Sequence, residues 1–264
     1  MRLAISCKLG FPLDFSHIAA AFAAAFVAGA INSVAGGGSL VSFPTLIWLG
    51  LGSVAANATN TVAIWPGTAG SLWGYRREFR EAEGRYLVLV APSLVGGLAG
   101  ALLLRWTPPS FFDRLVPYLI VFATLLFMIQ EPLQRSLRPR DARPSAGWLA
   151  GAMAFQLLVG LYGGYFGAGI GILMLAALSI LGLKDIHQMN SLKLVFGGSV
   201  NGIASAYFIW ARMVYWPYVV LMAVGAIAGG YGGAGTARKL GQKAVRRIVV
   251  AIGFGAALSL LIWK

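Results

Sequence analysis

Ten apolar segments follow one another along the 264 residues, and they constrain the fold more than any other feature. A bilayer-spanning helix needs about 20 apolar residues. Eight segments reach or approach that length, at 18–35, 57–75, 86–104, 112–130, 147–165, 190–210, 214–237 and 244–263. Charged residues make up only 11% of the chain, against about a quarter in soluble domains, so a polar surface cannot cover it. The sequence therefore predicts an all-α polytopic membrane protein.

Two further segments, 39–52 and 169–183, are apolar but short. At about 1.5 Å per residue they fall short of a hydrocarbon core of about 30 Å. Each directly follows a glycine cluster, Gly36–Gly38 in one case and Gly163–Gly169 in the other. We therefore predict broken or re-entrant helices at these two places, and the residues leave open whether the short segments span fully.

The sequence repeats itself at an offset of about 131–133 residues. Glycines, asparagines and arginines recur in the same order, and the matched pairs include Gly29 with Gly160, Gly36 with Gly167, Asn57 with Asn190, Asn60 with Lys193, and Gly96-Gly97 with Gly229-Gly230. Structural repeats are typical of secondary transporters. We predict two repeats of about five helical elements each, over 1–135 and 136–264, within one membrane domain.

The positive charges indicate how the two repeats are oriented. The loop at 76–85 is rich in arginine while its counterpart near 211–216 carries only Arg212; conversely, 238–247 is more basic than 105–114. Because basic loops stay in the cytoplasm, this switch predicts that the repeats are inverted. The connector 131–146 then lies in the cytoplasm and both termini lie outside, although Arg2 and Lys8 oppose that placement.

Polar residues at membrane depth cluster at equivalent places in the two halves, whereas we find none of the eight carboxylates inside an apolar segment. Glycine breaks start new helices, and helix N-termini carry partial positive charge that binds anions. Amide and hydroxyl groups add donors, and Lys193 adds a full charge unless it extends to the interface instead. The predicted anion site consists of Asn32, Gly36, Gly37, Gly38, Ser39, Asn57, Thr59, Asn60, Gly167, Gly169, Asn190, Ser191 and Lys193. Asn57 and Asn60 are alternatively hydrogen-bonding links between helices.

A resemblance supports this interpretation. The run from Gly29 to Ser39, then Phe43-Pro44, the run from Ala55 to Thr61, Pro66-Gly67 and Gly74-Tyr75-Arg76 resemble the TauE/SafE family of sulfite exporters and sulfonate permeases. The resemblance covers nearly the whole chain and is looser between Gly163 and Lys193. It implies a multi-pass transporter of the bacterial inner membrane for sulfite, sulfonates or related organic anions, in a family usually described with about eight membrane helices.

The predicted function is therefore secondary transport of a small anion, coupled to protons. A passive anion channel is the alternative, and an intramembrane hydrolase is a remote one, since no Gly-x-Ser-x-Gly motif accompanies the two histidines. We expect no enzyme activity, catalytic residues, cofactor or metal, and Cys7 alone can form neither a disulfide nor a cysteine metal site. The net charge of +13 lies in loop clusters, which argues against nucleic acid. The expected partners are the anion and the lipid bilayer, with a homodimer left open.

Overall fold

The computed structural model describes residues 14–34, 37–74, 84–136, 146–180, 183, 186–233 and 242–262. These residues form helices and no strands. The first half contains α1 (Phe15–Val34), α2 (Ser39–Trp48), α3 (Ser53–Gly74), α4 (Val90–Trp106, after a 3₁₀ turn at Gly84–Leu89) and α5 (Pro109–Ser136). The second contains α6 (Ala146–Tyr165), α7 (Ile170–Ile180), α8 (Ile186–Trp210), α9 (Trp216–Ala228, extended by a π turn at Gly229–Gly233) and α10 (Gln242–Ile262).

The ten apolar segments predicted from the sequence thus correspond to ten α-helices, and the all-α membrane fold is confirmed. Among the described residues, four stretches are long and apolar enough to cross a bilayer, at Phe15–Asn32, Tyr86–Trp106, Pro109–Ile129 and Gln188–Trp210. Four shorter apolar helices lie at Ser39–Trp48, Leu149–Tyr165, Trp216–Tyr231 and Arg247–Ile262. The protein is a multi-pass membrane protein.

The helices of one half pack mainly against those of the other. Helix α4 lies along α6, and α1 lies along α9. In the first pair, a β-carbon at Gly160 would lie 3.1 Å from the carbonyl oxygen of Ser93; in the second, Gly29 meets the carbonyl of Ala226 in the same way. These two contacts are related by the offset of the sequence repeat. Glycine at such positions lets two helix backbones approach closely.

Helices α3 and α8 cross antiparallel to one another. The start of α3 lies near the end of α8, where the Tyr215 N–H donates to Thr59 Oγ1 over 3.0 Å. Further along α3, the Trp65 indole lies against Gly202, and Thr68 lies against Gly198. Opposite directions for α3 and α8 are what oppositely oriented repeats require. The inverted repeat and its boundary at 135/136 stay predictions, and the basic loops that motivated them lie largely outside the described residues.

Candidate functional site

A cavity lies where the two glycine breaks meet. The cavity has a volume of about 120 Å³, so a small oxyanion fits in it. The cavity is lined by residues of both halves: Gly29, Asn32, Gly37, Ser39, Ile64, Gly67 and Thr68 from the first, and Gly167, Gly169, Ile170, Gly171, Lys193, Leu194, Gly197, Asn201, Ala226 and Gly230 from the second.

The first break is shaped by one side chain and two glycines. Asn32, near the end of α1, accepts a hydrogen bond from the Gly38 N–H over 2.8 Å at its Oδ1. Gly37 adopts a φ of +87°, which side chains other than glycine rarely adopt. Gly38 faces the Ala28 backbone so closely that a β-carbon would collide with it. The break therefore turns the chain back against α1 and places the N-terminus of α2 at the cavity, with Ser39 in its wall.

The second break repeats this conformation. Gly167 and Gly169 have φ values of +82° and +81°, and both line the cavity. The Tyr162 hydroxyl donates to the carbonyl oxygen of Ala168 over 2.7 Å, which secures the loop between them. Helix α7 then begins at Ile170, so the N-termini of both short helices face one space.

The positive φ angles correct one expectation about these glycines. From the sequence, a glycine run inside a helix predicts that alanine at Gly37 or Gly169 preserves or raises stability. Gly37 and Gly169 instead lie outside the helices in a left-handed conformation, so alanine there is strained. Gly36, the third predicted residue of the first break, lies outside the described residues.

Lys193 lies on α8 with its side chain across the first turn of α7. A β-carbon at Gly171 would lie 3.1 Å from Lys193 Cδ, so glycine at this position makes room for the lysine. The ammonium donates to Asn190 Oδ1 over 2.9 Å. Lys193 therefore lines the cavity, and its role in binding the substrate stays a prediction.

The described wall of the cavity offers no counter-charge for this lysine. None of the described residues that line the cavity is a carboxylate. The ammonium lies next to the N-terminus of α7, which carries a further partial positive charge. A cation in an apolar interior is unfavourable without a counter-charge. This arrangement is suited to receive a small anion.

The other predicted residues lie away from the cavity wall and bond to protein. The amide of Asn57 donates to the carbonyl oxygen of Tyr165 over 2.9 Å, and Thr59 accepts from the N–H of Tyr215, just before α9. Asn60 accepts from Ser42 Oγ over 2.6 Å. Ser191 donates to the Gln188 carbonyl within α8. The bonds of Asn57 and Asn60 match the alternative that these two asparagines link helices, and Thr59 makes a link of the same kind.

Two further polar residues line the wall, namely Thr68 on α3 and Asn201 on α8. They occupy matching positions of the two halves at the repeat offset, which is the signal that identifies them as a pair. Asn201 Oδ1 would lie 3.9 Å from a β-carbon at Gly167, so its amide reaches the second break.

One statement about carboxylates needs correction. Asp113 lies inside the candidate span Pro109–Ile129, half-buried in the first turns of α5, and accepts a short hydrogen bond from Ser53 Oγ. The predicted apolar segment 112–130 includes Asp113, so the statement that no carboxylate lies inside an apolar segment was wrong for this residue. Asp113 does not line the cavity. Among the described residues, no group of three His, Cys, Asp or Glu side chains is placed to hold a metal.

Comparison with known proteins decides the family. The family described as sulfite exporter TauE/SafE matches residues 21–260, which include both breaks and every residue of the cavity wall. The chain belongs to the TauE/SafE family. It is accordingly a membrane transporter, and the resemblance noted from the first-half motif is confirmed.

Three relatives match this chain over most of the length of both sequences. The chain is 27% identical over 250 residues to the probable membrane transporter protein ORF9 of a Sinorhizobium species, covering 94% of each chain. It is 28% identical over 247 residues to the probable membrane transporter protein YfcA of Escherichia coli K12, covering 91% of this chain and 88% of YfcA. A probable membrane transporter protein of Haemophilus influenzae is 27% identical over 239 residues, or 90% and 91% of the two chains. No solved structure matches the chain significantly.

Proposed function

We propose that this TauE/SafE protein is a secondary transporter that moves a small anion, such as sulfite, a sulfonate or a related organic anion, across the bacterial inner membrane. One observation carries the proposal: Lys193 and the N-termini of two short helices line one cavity whose described wall has no carboxylate. Positive charge without a carboxylate in the described wall favours an anionic ligand. The glycine amides and the side chains of Asn32, Ser39, Thr68 and Asn201 supply further hydrogen-bonding groups around it.

The architecture supports a carrier. The sequence contains no G-x-x-x-x-G-K-[ST] motif, so the chain carries no Walker site for nucleotide hydrolysis. Broken helices that meet at the interface of two inverted repeats form the substrate sites of many secondary transporters. We propose this arrangement for repeats 1–135 and 136–264, supported by the antiparallel α3 and α8 and by the equivalent α1–α9 and α4–α6 contacts.

We further propose that transport is coupled to protons and that a substrate that is the anion of a weak acid, such as sulfite, carries the proton itself. The described cavity wall offers no carboxylate to relay it. An anion of a weak acid, such as sulfite, can bind with or without its proton, so a protonated substrate would move one proton with each anion.

The test is a substrate screen on protein reconstituted in vesicles, with sulfite, sulfate, taurine and sulfoacetate as candidates. We expect saturable uptake of at least one anion and accelerated exchange when the same anion is loaded inside, because a carrier alternates between sides. Flux without saturation or counterflow would favour the channel.

Lys193→Gln provides the variant that tests the site, and Arg247→Gln provides its matched control. Arg247 is an exposed cation on α10, outside the cavity. Loss of transport in Lys193→Gln alone supports the site. Equal transport by well-folded wild type and Lys193→Gln would contradict it.

A further inference from the structure

The cavity lies between the two ends of the helix bundle. We define the inner end as the one where α3 ends at Gly74 and α8 begins at Ile186, next in sequence to the arginine-rich stretch 76–85. On α3 the described wall residues are Ile64, Gly67 and Thr68, and on α8 they run from Lys193 to Asn201. These residues lie in the central part of both helices, so the start of α3 and the end of α8 extend beyond the cavity to the outer end.

The outer end, where α3 begins and α8 ends, is closed by hydrogen bonds between the two halves. The Asn57 amide reaches the carbonyl oxygen of Tyr165, at the end of α6. Thr59 accepts from the N–H of Tyr215, just before α9. Both side chains are almost fully buried. Each tie joins a first-half side chain to second-half backbone, so it must break if the halves separate at this end.

Aromatic side chains fill the space beside these ties. The buried rings of Phe43 on α2 and Phe166 in the second break meet edge to face, with centroids 5.4 Å apart. Phe112 on α5 meets Tyr165 in the same way at 5.5 Å. Such pairs are favourable beyond the area they bury. The outer end is therefore both bonded and packed.

The two halves also differ at matching positions of α3 and α8. Gly67 on the cavity side corresponds to Val200 at the repeat offset. A β-carbon at Gly67 would lie 3.9 Å from its nearest neighbour, Ala226. Val200 is instead tightly packed. A β-carbon at Gly163 would lie 2.8 Å from the Val200 side chain, and a β-carbon at Gly97 would lie 3.0 Å from the Val200 backbone. The space beside Gly67 is therefore open, whereas a valine side chain fills the matching space in the other half.

We infer that Asn57 and Thr59 form the outer gate of the transporter, whose ties to Tyr165 and Tyr215 break when the cavity opens outward. The inference rests on the proposed transport function. It assigns these two buried residues, predicted to bind substrate, to the conformational step of transport. Their removal should favour the outward-open state without changing the cavity wall.

The test is substrate-free thiol labelling in a Cys7→Ser background. Ile64→Cys supplies the reporter, because Ile64 lines the cavity and is closest along α3 to the gate. A membrane-impermeant maleimide is applied from each side of oriented vesicles in turn. We expect the reporter to react slowly from the outer side, because the two ties and the aromatic pairs close that end.

Thr59→Val in this background should raise the outer-side labelling rate about fivefold, the effect of losing one net hydrogen bond. Thr59→Ser keeps the acceptor and should label like the parent. Thr61→Val is the matched control, since Thr61 lies on the same helix and donates within it to the Asn57 carbonyl over 2.9 Å. Asn57→Ala repeats the test at the second tie should Thr59→Val fold poorly.

Equal outer-side rates for Thr59→Val and Thr61→Val in folded protein would overturn the gate, as would rapid outer-side labelling of the parent. Because labelling needs no anion, its result is separable from the proposed function. A gate response without anion transport would leave the gate in place and remove the assigned substrate class.

Discussion

The two halves of the molecule use matching positions for different purposes. Asn60 and Lys193 correspond at the repeat offset, yet Asn60 is buried and bonded to Ser42 while Lys193 lines the cavity. Asn57 and Asn190 also correspond; the first bonds to backbone of the other half, and the second bonds to Lys193 in its own helix. One repeat thus contributes rigid links and the other contributes charge. A duplicated scaffold can diverge in this way because each copy sees different neighbours.

What the halves share is the backbone of the breaks. Gly37 and Gly169 both adopt a left-handed φ and both line the cavity. Their surroundings differ, since a β-carbon at Gly37 would lie 2.9 Å from the Phe127 ring, whereas at Gly169 the nearest atoms are 3.7 Å away. The common feature is therefore conformational, and the difference lies in the packing.

The largest expected effect separates conformation from packing. Gly37→Ala should destabilise the protein by about 2–4 kcal/mol, because left-handed strain adds to overpacking. Gly169→Ala should cost only the strain, about 1–2 kcal/mol. Thermal unfolding in detergent measures both. Equal losses of stability would show that Phe127 yields without resistance, and unchanged stability in both would refute the left-handed conformation.

The second prediction reverses the charge difference between the halves. Lys193→Asn gives the second half the residue of the first, and we expect anion affinity to fall more than tenfold, or about 1.4 kcal/mol, with stability retained. Asn60→Leu should do the opposite: about 1–3 kcal/mol of stability is lost because Ser42 loses its buried partner, while affinity per folded molecule stays.

Anion binding by thermal shift and transport in vesicles, each normalised to folded protein, distinguish these outcomes. The comparison between halves fails if Asn60→Leu weakens affinity as strongly as Lys193→Asn does.

The smallest expected effect concerns the matching pair that faces the cavity from both halves. Thr68→Val and Asn201→Leu each remove a neutral hydrogen-bonding group from the wall, which should weaken anion binding about two- to tenfold. Asn201→Leu should have the larger effect, because its amide reaches the second break at Gly167. Titration of the same anion against both variants checks the order. A larger effect for Thr68→Val would place the anion nearer the first half.

Sequence alone predicted the helices and the breaks. Hydropathy is a local property, and a helix that spans a bilayer must be apolar and must satisfy its own backbone hydrogen bonds. The ten apolar segments therefore correspond to the ten α-helices of the described residues. The glycine runs at Gly36–Gly38 and Gly163–Gly169 marked the breaks for the same reason, and the repeat offset paired residues such as Gly29 and Gly160 that make equivalent contacts.

Tertiary structure alone decided which polar residues face the cavity. Asn57, Asn60 and Lys193 look alike in sequence, as polar groups in apolar helices. Their roles depend on partners far along the chain: the carbonyl of Tyr165 for Asn57, the Ser42 hydroxyl for Asn60, and the space above Gly171 for Lys193. Because a polar group in an apolar interior is satisfied by whichever partner packing brings to it, its function follows from the packing of helices and not from its own segment.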